Sequence, residues 1–202
     1  MKPCVKNGGR LFAPCGQCTD RINRRAFVNA GIGGIGLSVI PALFGQSDAA
    51  SEPPQTGDFL VRTNDQAQKP LHSDEIVMGA APALVWPMSA GTKVVRNQNR
   101  LNAVLLLRLD PATLGEQAKA ASVDGILAFS TLCPHAGCTI ADWIPERGVL
   151  ACDCHESEFN PREAGKVMDG PAARPLPPLS LKLVDGNLAV AKSFAGPIRF
   201  DE

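Results

Sequence analysis

The sequence predicts an all-β fold, a domain of small antiparallel sheets that pack as a β-sandwich. Residues 103–109 and 125–129 are continuous apolar runs of strand length, which suits strands buried in a sandwich core. Two further apolar runs flank Asp-Gly-Asn at residues 185–187, and this pattern predicts a β-hairpin. Only residues 112–121 have the composition of a helix, so we expect little helix in the domain.

Two other segments of this domain have a less regular pattern. Four prolines between residues 171 and 178 predict an ordered loop, because proline cannot donate to the ladder of a central strand. Residues 58–124 match no known partner or role. Within them, the apolar run at residues 84–88 is interpreted as core rather than as an interface.

The chain has 202 residues, with 20 basic and 20 acidic side chains, but its charge is unevenly distributed. Residues 1–25 carry a net charge of +5, residues 26–45 carry no charge, and residues 46–202 carry −5. With 45% hydrophobic and 20% charged residues the chain is neither disordered nor fibrous, and no nucleic-acid partner is expected. The sequence therefore predicts a basic tail at 1–25, an apolar segment at 26–45, a linker at 46–57 and a folded domain at 58–202.

Residues 26–45 are long enough to span a bilayer as one helix, although five glycines and a proline weaken their apolarity. They follow Arg24 and Arg25, with Phe27 two positions after the pair, which resembles the twin-arginine export signal of bacteria. We expect a retained anchor. A cleaved signal and a buried glycine-rich helix are the alternatives. The protein is therefore expected in the bacterial inner membrane with its C-terminal domain in the periplasm, or in the periplasm if the signal is cleaved.

Four of the seven cysteines and two of the three histidines fall within residues 133–155. They lie in two boxes, Cys-Pro-His-Ala-Gly-Cys at residues 133–138 and Cys-Asp-Cys-His-Glu-Ser at residues 152–157. Thiolates and imidazoles in this pattern suit either a structural zinc site of the Cys₂His₂ type or an iron–sulfur cluster with mixed ligands. The Cys-x-His spacing departs from the usual zinc knuckle, in which both cysteines come from one motif. A separate Cys-x-x-Cys at residues 15–18 is interpreted as a pair of inert reduced thiols.

Residues 125–180 resemble a Rieske protein of the disulfide-containing class found in cytochrome bc complexes. The resemblance is carried by both boxes, by their separation, and by Gly-Pro-Ala at residues 170–172, which is similar to the family's proline loop. It implies a Rieske-type antiparallel β-sandwich with a small cluster-binding subdomain, preceded by the N-terminal signal-anchor helix. It also implies one [2Fe-2S] cluster per chain, and hence a function in electron transport.

The resemblance implies a ligand role for four residues. Cys133 and Cys152 would bind one iron, and His135 and His155 would bind the other. Neutral imidazoles in place of two anionic thiolates reduce the negative charge of the cluster and make it easier to reduce. We therefore expect a high-potential centre, within roughly −150 to +300 mV.

Three neighbouring residues extend the resemblance, and a fourth departs from it. Cys138 and Cys154 would form a disulfide that clamps the two boxes together. Ser157 matches a family serine whose hydroxyl bonds a cluster sulfide and raises the potential. Quinol-oxidising members commonly carry a tyrosine two residues later that bonds a cysteine sulfur, but here the position is Phe159 and the chain contains no tyrosine. We expect a potential below that of tyrosine-bearing relatives.

A Rieske cluster transfers single electrons, so the chain is expected to be an electron-transfer subunit of an oxidoreductase. No histidine follows His155, which argues against the mononuclear-iron catalytic domain of the ring-hydroxylating oxygenases. The favoured function is the iron–sulfur subunit of a membrane quinol–cytochrome c oxidoreductase, with cytochrome b, a c-type cytochrome and quinol as partners. The alternatives are the small subunit of a periplasmic molybdenum oxidase similar to arsenite oxidase, and a stand-alone periplasmic electron carrier.

Overall fold

The computed structural model describes residues 48–201, and this range contains ten strands, four 3₁₀ helices and one α-helix. The all-β fold class is therefore confirmed. The predicted anchor at residues 26–45 lies outside the described residues. Between residues 48 and 201, no helix has the length and the apolar character that a membrane span needs.

The strands of residues 48–201 divide between two sheets. In chain order they are β1 (Phe59–Arg62), β2 (Ala83–Met88), β3 (Val104–Arg108), β4 (Ile126–Ser130), β5 (Asp142–Ile144), β6 (Val149–Cys152), β7 (Ser157–Asn160), β8 (Lys166–Asp169), β9 (Pro178–Val184) and β10 (Asn187–Phe194). Six strands close an antiparallel barrel in the order β1-β10-β9-β4-β3-β2, and the other four form a sheet in the order β5-β6-β7-β8. The helix α1 is Glu116–Ala121, and the 3₁₀ helices are Ser73–Glu75, Arg100–Asn102, Pro111–Thr113 and Pro161–Glu163.

Strands β3 and β4 lie between two apolar cores, which explains why both appear in the sequence as continuous apolar runs. Leu106 of β3 packs in a core formed by the barrel strands. Its neighbour Leu105 packs in a second core, together with Phe129 of β4 and Leu150 of β6. Because alternate side chains of a strand point to opposite faces, both faces of β3 and β4 must be apolar. The second core joins the barrel to the four-stranded sheet.

Residues 58–124, to which the sequence assigned no role, supply half of the barrel. Strands β1, β2 and β3 all come from this stretch. β1 pairs with β10 on one side and with β2 on the other, and these pairings close the barrel. The run at residues 84–88 lies in β2, and its Val85 and Met88 are buried, so its interpretation as core is confirmed.

The predicted hairpin and helix are both present, but their boundaries differ, and β9 begins at Pro178, the last of the four prolines that predicted a loop. Asp185 and Gly186 join β9 to β10 with φ values of 50° and 78°, the positive values that a tight hairpin turn of type I′ requires. The helix predicted over residues 112–121 begins later, at Glu116, because Pro111–Thr113 forms a separate 3₁₀ turn. The local signals therefore predicted the type of each element better than its ends.

Residues 48–57, within the predicted linker, lie against the barrel through Arg96. Arg96 is buried, and its guanidinium donates to Asp58 Oδ2 at 2.7 Å and to the Ala49 carbonyl at 2.9 Å. A third contact joins Arg96 Nη1 to Glu52 Oε2 at 3.0 Å. This ion network fixes the chain that leads into β1.

Replacing Arg96 with alanine should lower the free energy of unfolding by about 3–5 kcal/mol, because the buried Asp58 carboxylate loses its charged partner. Lys166→Ala is the control, since it removes only an exposed ion pair with Glu163 and should cost less than about 1 kcal/mol. Urea unfolding followed by circular dichroism measures both values. Equal losses in the two variants would contradict the structural role of Arg96.

Candidate metal centre

The first box, residues 133–138, is a tight loop that follows β4. The Cys133 N–H donates to the Cys138 carbonyl at 2.8 Å, and the Gly137 N–H donates to the Cys133 carbonyl at 2.9 Å. Gly137 has a φ of 72°, a left-handed conformation that glycine adopts without steric penalty. These bonds close the loop and hold Cys133 and Cys138 at its two ends.

The second box, residues 152–157, spans the turn between β6 and β7. Cys152 is the last residue of β6 and pairs with Ser157, the first residue of β7. The Glu156 N–H donates to the Cys152 carbonyl at 2.9 Å and closes the turn. As a result, Cys154 and His155 lie in an exposed turn.

The structure brings the two boxes together. Cys138 and Cys154 form a disulfide, which is the pairing that the family resemblance implied. The imidazole rings of His135 and His155 lie perpendicular to each other, with their centroids 4.6 Å apart. Each box therefore contributes one imidazole to a common site.

Cys133 and Cys152 carry the free thiols of residues 48–201, and both are buried. Burial raises the pKa of the Cys133 thiol, and its contact with Cys152 adds to the rise. Hydrogen bonds from the His135 backbone N–H and the Ser157 hydroxyl act in the opposite direction and lower the same pKa. Since a metal binds the thiolate, these two hydrogen bonds favour the ligating form.

The disulfide between Cys138 and Cys154 lies beside the Cys152 thiol. The sulfur atoms of Cys138, Cys152 and Cys154 are within 4.8 Å of one another. Because Cys138 and Cys154 are bonded to each other, neither can ionise to a thiolate. Cys152 is therefore the member of this sulfur group that can bind a metal.

The residues of the site fit a metal cluster. His135 Nδ1 is buried and has no hydrogen-bond partner in the part of the chain that the structure describes. Buried polar atoms are normally paired, so an unpaired imidazole nitrogen beside two buried thiols is suited to a metal. Two thiols with two imidazoles match the donor set of a Cys₂His₂ zinc site and of a mixed-ligand [2Fe-2S] site.

The proline loop, residues 170–172, packs directly on the second box. A Cβ on Gly170 would lie 2.5 Å from Ser157 Cα, so only glycine allows this approach. The Ala172 N–H donates to Ser157 Oγ at 3.2 Å. Ser157 is fully buried, and its hydroxyl also forms a hydrogen bond with the Cys133 thiol. The hydroxyl therefore links the proline loop to Cys133.

The two sides of the site differ in their exposure. Cys133 and Cys152 are 1% and 2% exposed and belong to the apolar core that also contains Phe159. His155 is exposed, and His135 is half-buried. The sulfur side therefore faces the core, and the imidazole side faces the surface.

Two residues that the sequence analysis did not single out hold the first box in place. Arg100 Nη2 donates to the Gly137 carbonyl at 2.7 Å. The Asp201 N–H donates to the carbonyls of Pro134 and His135. No local motif marks either residue, because the contacts join segments that are far apart in the chain.

A family model described as the Rieske [2Fe-2S] domain matches residues 102–184, which include both boxes and the proline loop. The chain carries a Rieske [2Fe-2S] domain. The Rieske domain implies a bound [2Fe-2S] cluster, and the resemblance drawn from the two boxes is confirmed.

Two curated relatives share this Rieske domain. The cytochrome bc1 complex Rieske iron-sulfur subunit of Streptomyces lividans is 28% identical over 148 residues, which cover 70% of this chain and 84% of that protein. The putative respiratory nitrate reductase subunit Rieske of Haloferax mediterranei is 38% identical over 77 residues, which cover 38% of this chain and 34% of that protein. The cytochrome bc1 complex Rieske subunits of Streptomyces coelicolor and Mycobacterium tuberculosis are matched over 40% and 24% of their own length.

Among solved structures, the Rieske domain is similar to the soluble domain of the Rieske protein II from Sulfolobus acidocaldarius. The two chains share 20% identity with a TM-score of 0.46. The similarity covers 69% of this chain and 85% of that chain.

Replacing Phe159 with tyrosine should raise the midpoint potential of the Rieske domain by roughly 40 mV. A hydrogen bond to a cysteine sulfur is worth about 1 kcal/mol, and about 1.4 kcal/mol corresponds to about 59 mV for one electron. Phe194→Tyr, at a half-buried position of the barrel core, is the control and should leave the potential unchanged. Protein-film voltammetry measures both variants, and an unchanged or lower potential in Phe159→Tyr would refute the expectation.

Proposed function

We propose that Cys133 and Cys152 hold one iron of the [2Fe-2S] cluster and that His135 and His155 hold the other. The contact between the two buried thiols supports this assignment, as does the 4.6 Å separation of the two imidazole rings. The unpaired Nδ1 of His135 supports it as well, since no group among the described residues satisfies that nitrogen. When bound, such a cluster accepts and releases one electron at a time.

The side chains around the site have separate tasks in this function. The apolar core excludes water from Cys133 and Cys152. The Ser157 hydroxyl stabilises the thiolate of Cys133 through its hydrogen bond. The exposed imidazole of His155 gives a partner access to the site, and its ring N–H on the side away from the metal would offer a hydrogen bond to a quinol oxygen.

We propose further that the chain is the iron–sulfur subunit of a membrane quinol–cytochrome c oxidoreductase, with cytochrome b and a c-type cytochrome as partners. The observation that carries this proposal is the similarity to the Streptomyces lividans subunit, which extends over 84% of that protein. The disulfide between Cys138 and Cys154 supports the same class and an oxidising compartment. The arginine pair before residues 26–45 supports an anchor in the bacterial inner membrane with the domain in the periplasm.

A second candidate is a Rieske subunit of a different oxidoreductase, as the periplasmic molybdenum oxidases have. The observation that favours it is the higher identity, 38%, to the Rieske subunit of a putative respiratory nitrate reductase. Phe159 also favours this second candidate, because quinol-oxidising members of the family commonly carry a tyrosine at that position.

The ligand set is tested by removing one imidazole at a time. His155→Ala should abolish the visible absorption and the low-temperature EPR signal of the reduced protein. Because His155 is exposed, the circular dichroism of the domain should be unchanged. His72→Ala is the matched control, since His72 lies half-buried at the start of a 3₁₀ helix and should not affect either signal. A colourless wild-type protein that contains zinc would contradict the iron assignment.

The choice of complex is tested by purifying the native complex and identifying its subunits by mass spectrometry. Cytochrome b in the complex would support the quinol–cytochrome c oxidoreductase. A molybdenum subunit would overturn that proposal in favour of the second candidate. A Rieske protein that purifies without any partner would contradict both and indicate a stand-alone carrier.

A further inference from the structure

Asp201 fixes the backbone on both sides of His135. Its N–H donates to the Pro134 carbonyl at 2.8 Å and to the His135 carbonyl at 2.9 Å. These carbonyls belong to the two peptide bonds that flank the Cα atom of His135. The shared hydrogen bond therefore sets the position of the backbone from which the imidazole extends.

The side chain of Asp201 binds a second loop. Its Oδ2 accepts a hydrogen bond from the Ala173 N–H at 3.0 Å, and its Oδ1 forms an ion pair with Arg174 Nη2. Ala173 and Arg174 directly follow the proline loop at residues 170–172. A single residue thus ties the first box to the chain that leaves the proline loop.

Arg100 and Phe200 extend this contact along the first box. Arg100 Nη2 donates to the Gly137 carbonyl at 2.7 Å, and its guanidinium carbon lies 5.7 Å from the centroid of the Phe200 ring. A Cβ on Gly137 would lie 2.6 Å from Arg100 Nη2 and 3.0 Å from the Phe200 ring. A side chain at this position would displace the Arg100 guanidinium, so Gly137 leaves room for Arg100 and Phe200 beside the first box.

We propose that Asp201 and Arg174 are positioning residues for His135, and that their opposite charges shift the reduction potential in opposite directions, provided that His135 is an iron ligand as proposed above. Reduction adds a negative charge to the site, which a nearby carboxylate opposes and a guanidinium favours. Because the two charges are paired, their effects offset each other, and removing one reveals the effect of the other. The side chains of Arg174 and Asp201 are 41% and 24% exposed, so solvent screens them only in part.

The test measures midpoint potentials of the full-length, cluster-loaded protein by voltammetry at low ionic strength. Asp201→Asn keeps the backbone donor and an acceptor for the Ala173 N–H but removes the negative charge, and its potential should rise. Arg174→Gln removes the positive charge, and its potential should fall. Arg199→Gln removes an exposed cation close by in the chain and is the matched control, with a smaller shift than Arg174→Gln.

The positioning role has a separate readout. Asp201→Pro lacks both the N–H that binds the two carbonyls of the first box and the side-chain oxygen that binds the Ala173 N–H, whereas Asp201→Asn keeps an N–H and an oxygen for both contacts. With an iron chelator present, it should lose its visible absorbance several-fold faster than Asp201→Asn. Circular dichroism of the two variants before chelation verifies that both domains are folded.

Each outcome supports or overturns a defined part of the proposal. Shifts of the same sign in Asp201→Asn and Arg174→Gln, or no shift in either, would overturn the electrostatic role and leave the Rieske domain unaffected. Equal rates of iron loss from Asp201→Pro and Asp201→Asn would overturn the positioning role. A wild-type protein that binds no iron would instead overturn the proposed ligand set, and with it the positioning and electrostatic roles of Asp201 and Arg174.

Discussion

Burial of the Cys133 and Cys152 thiols in the core between the barrel and the small sheet is the constraint on which the site depends. Both thiols lie in the same apolar core as Leu105 of β3 and Phe129 of β4. The small sheet covers the outer faces of these strands, so the same packing that joins the two sheets also forms the sulfur side of the site. The barrel strands thus supply the apolar wall behind the two sulfur atoms.

This burial conflicts with ligand chemistry, because an apolar environment favours the neutral thiol and a metal requires the thiolate. The chain offsets the conflict with two hydrogen bonds to Cys133, one from the His135 backbone and one from Ser157. Hydrogen bonds are stronger in such a site than in water, since the surroundings polarise poorly. The imidazole side needs no such compensation, because an imidazole binds metals in its neutral form and His155 lies at the surface.

Local sequence patterns predicted the parts of the fold that depend on local chemistry. The apolar run at residues 125–129, the turn at 185–187 and the two boxes each carry their signal within a few residues. Closure of the barrel could not be predicted in this way, because β1 pairs with β10, more than a hundred residues away. For the same reason, the roles of Arg96 and Asp201 could not be predicted, because their partners lie far away in the chain and become neighbours only after folding.

The two boxes are short loops, and contacts from distant segments hold them in place. The disulfide joins the boxes to each other, Ser157 joins the second box to the proline loop, and Asp201 joins the first box to the residues after that loop. His155 stays exposed although these contacts surround the two boxes. A site whose groups are already oriented needs little rearrangement when its charge changes. Rigid loops with one open side therefore suit a domain that exchanges single electrons with a partner.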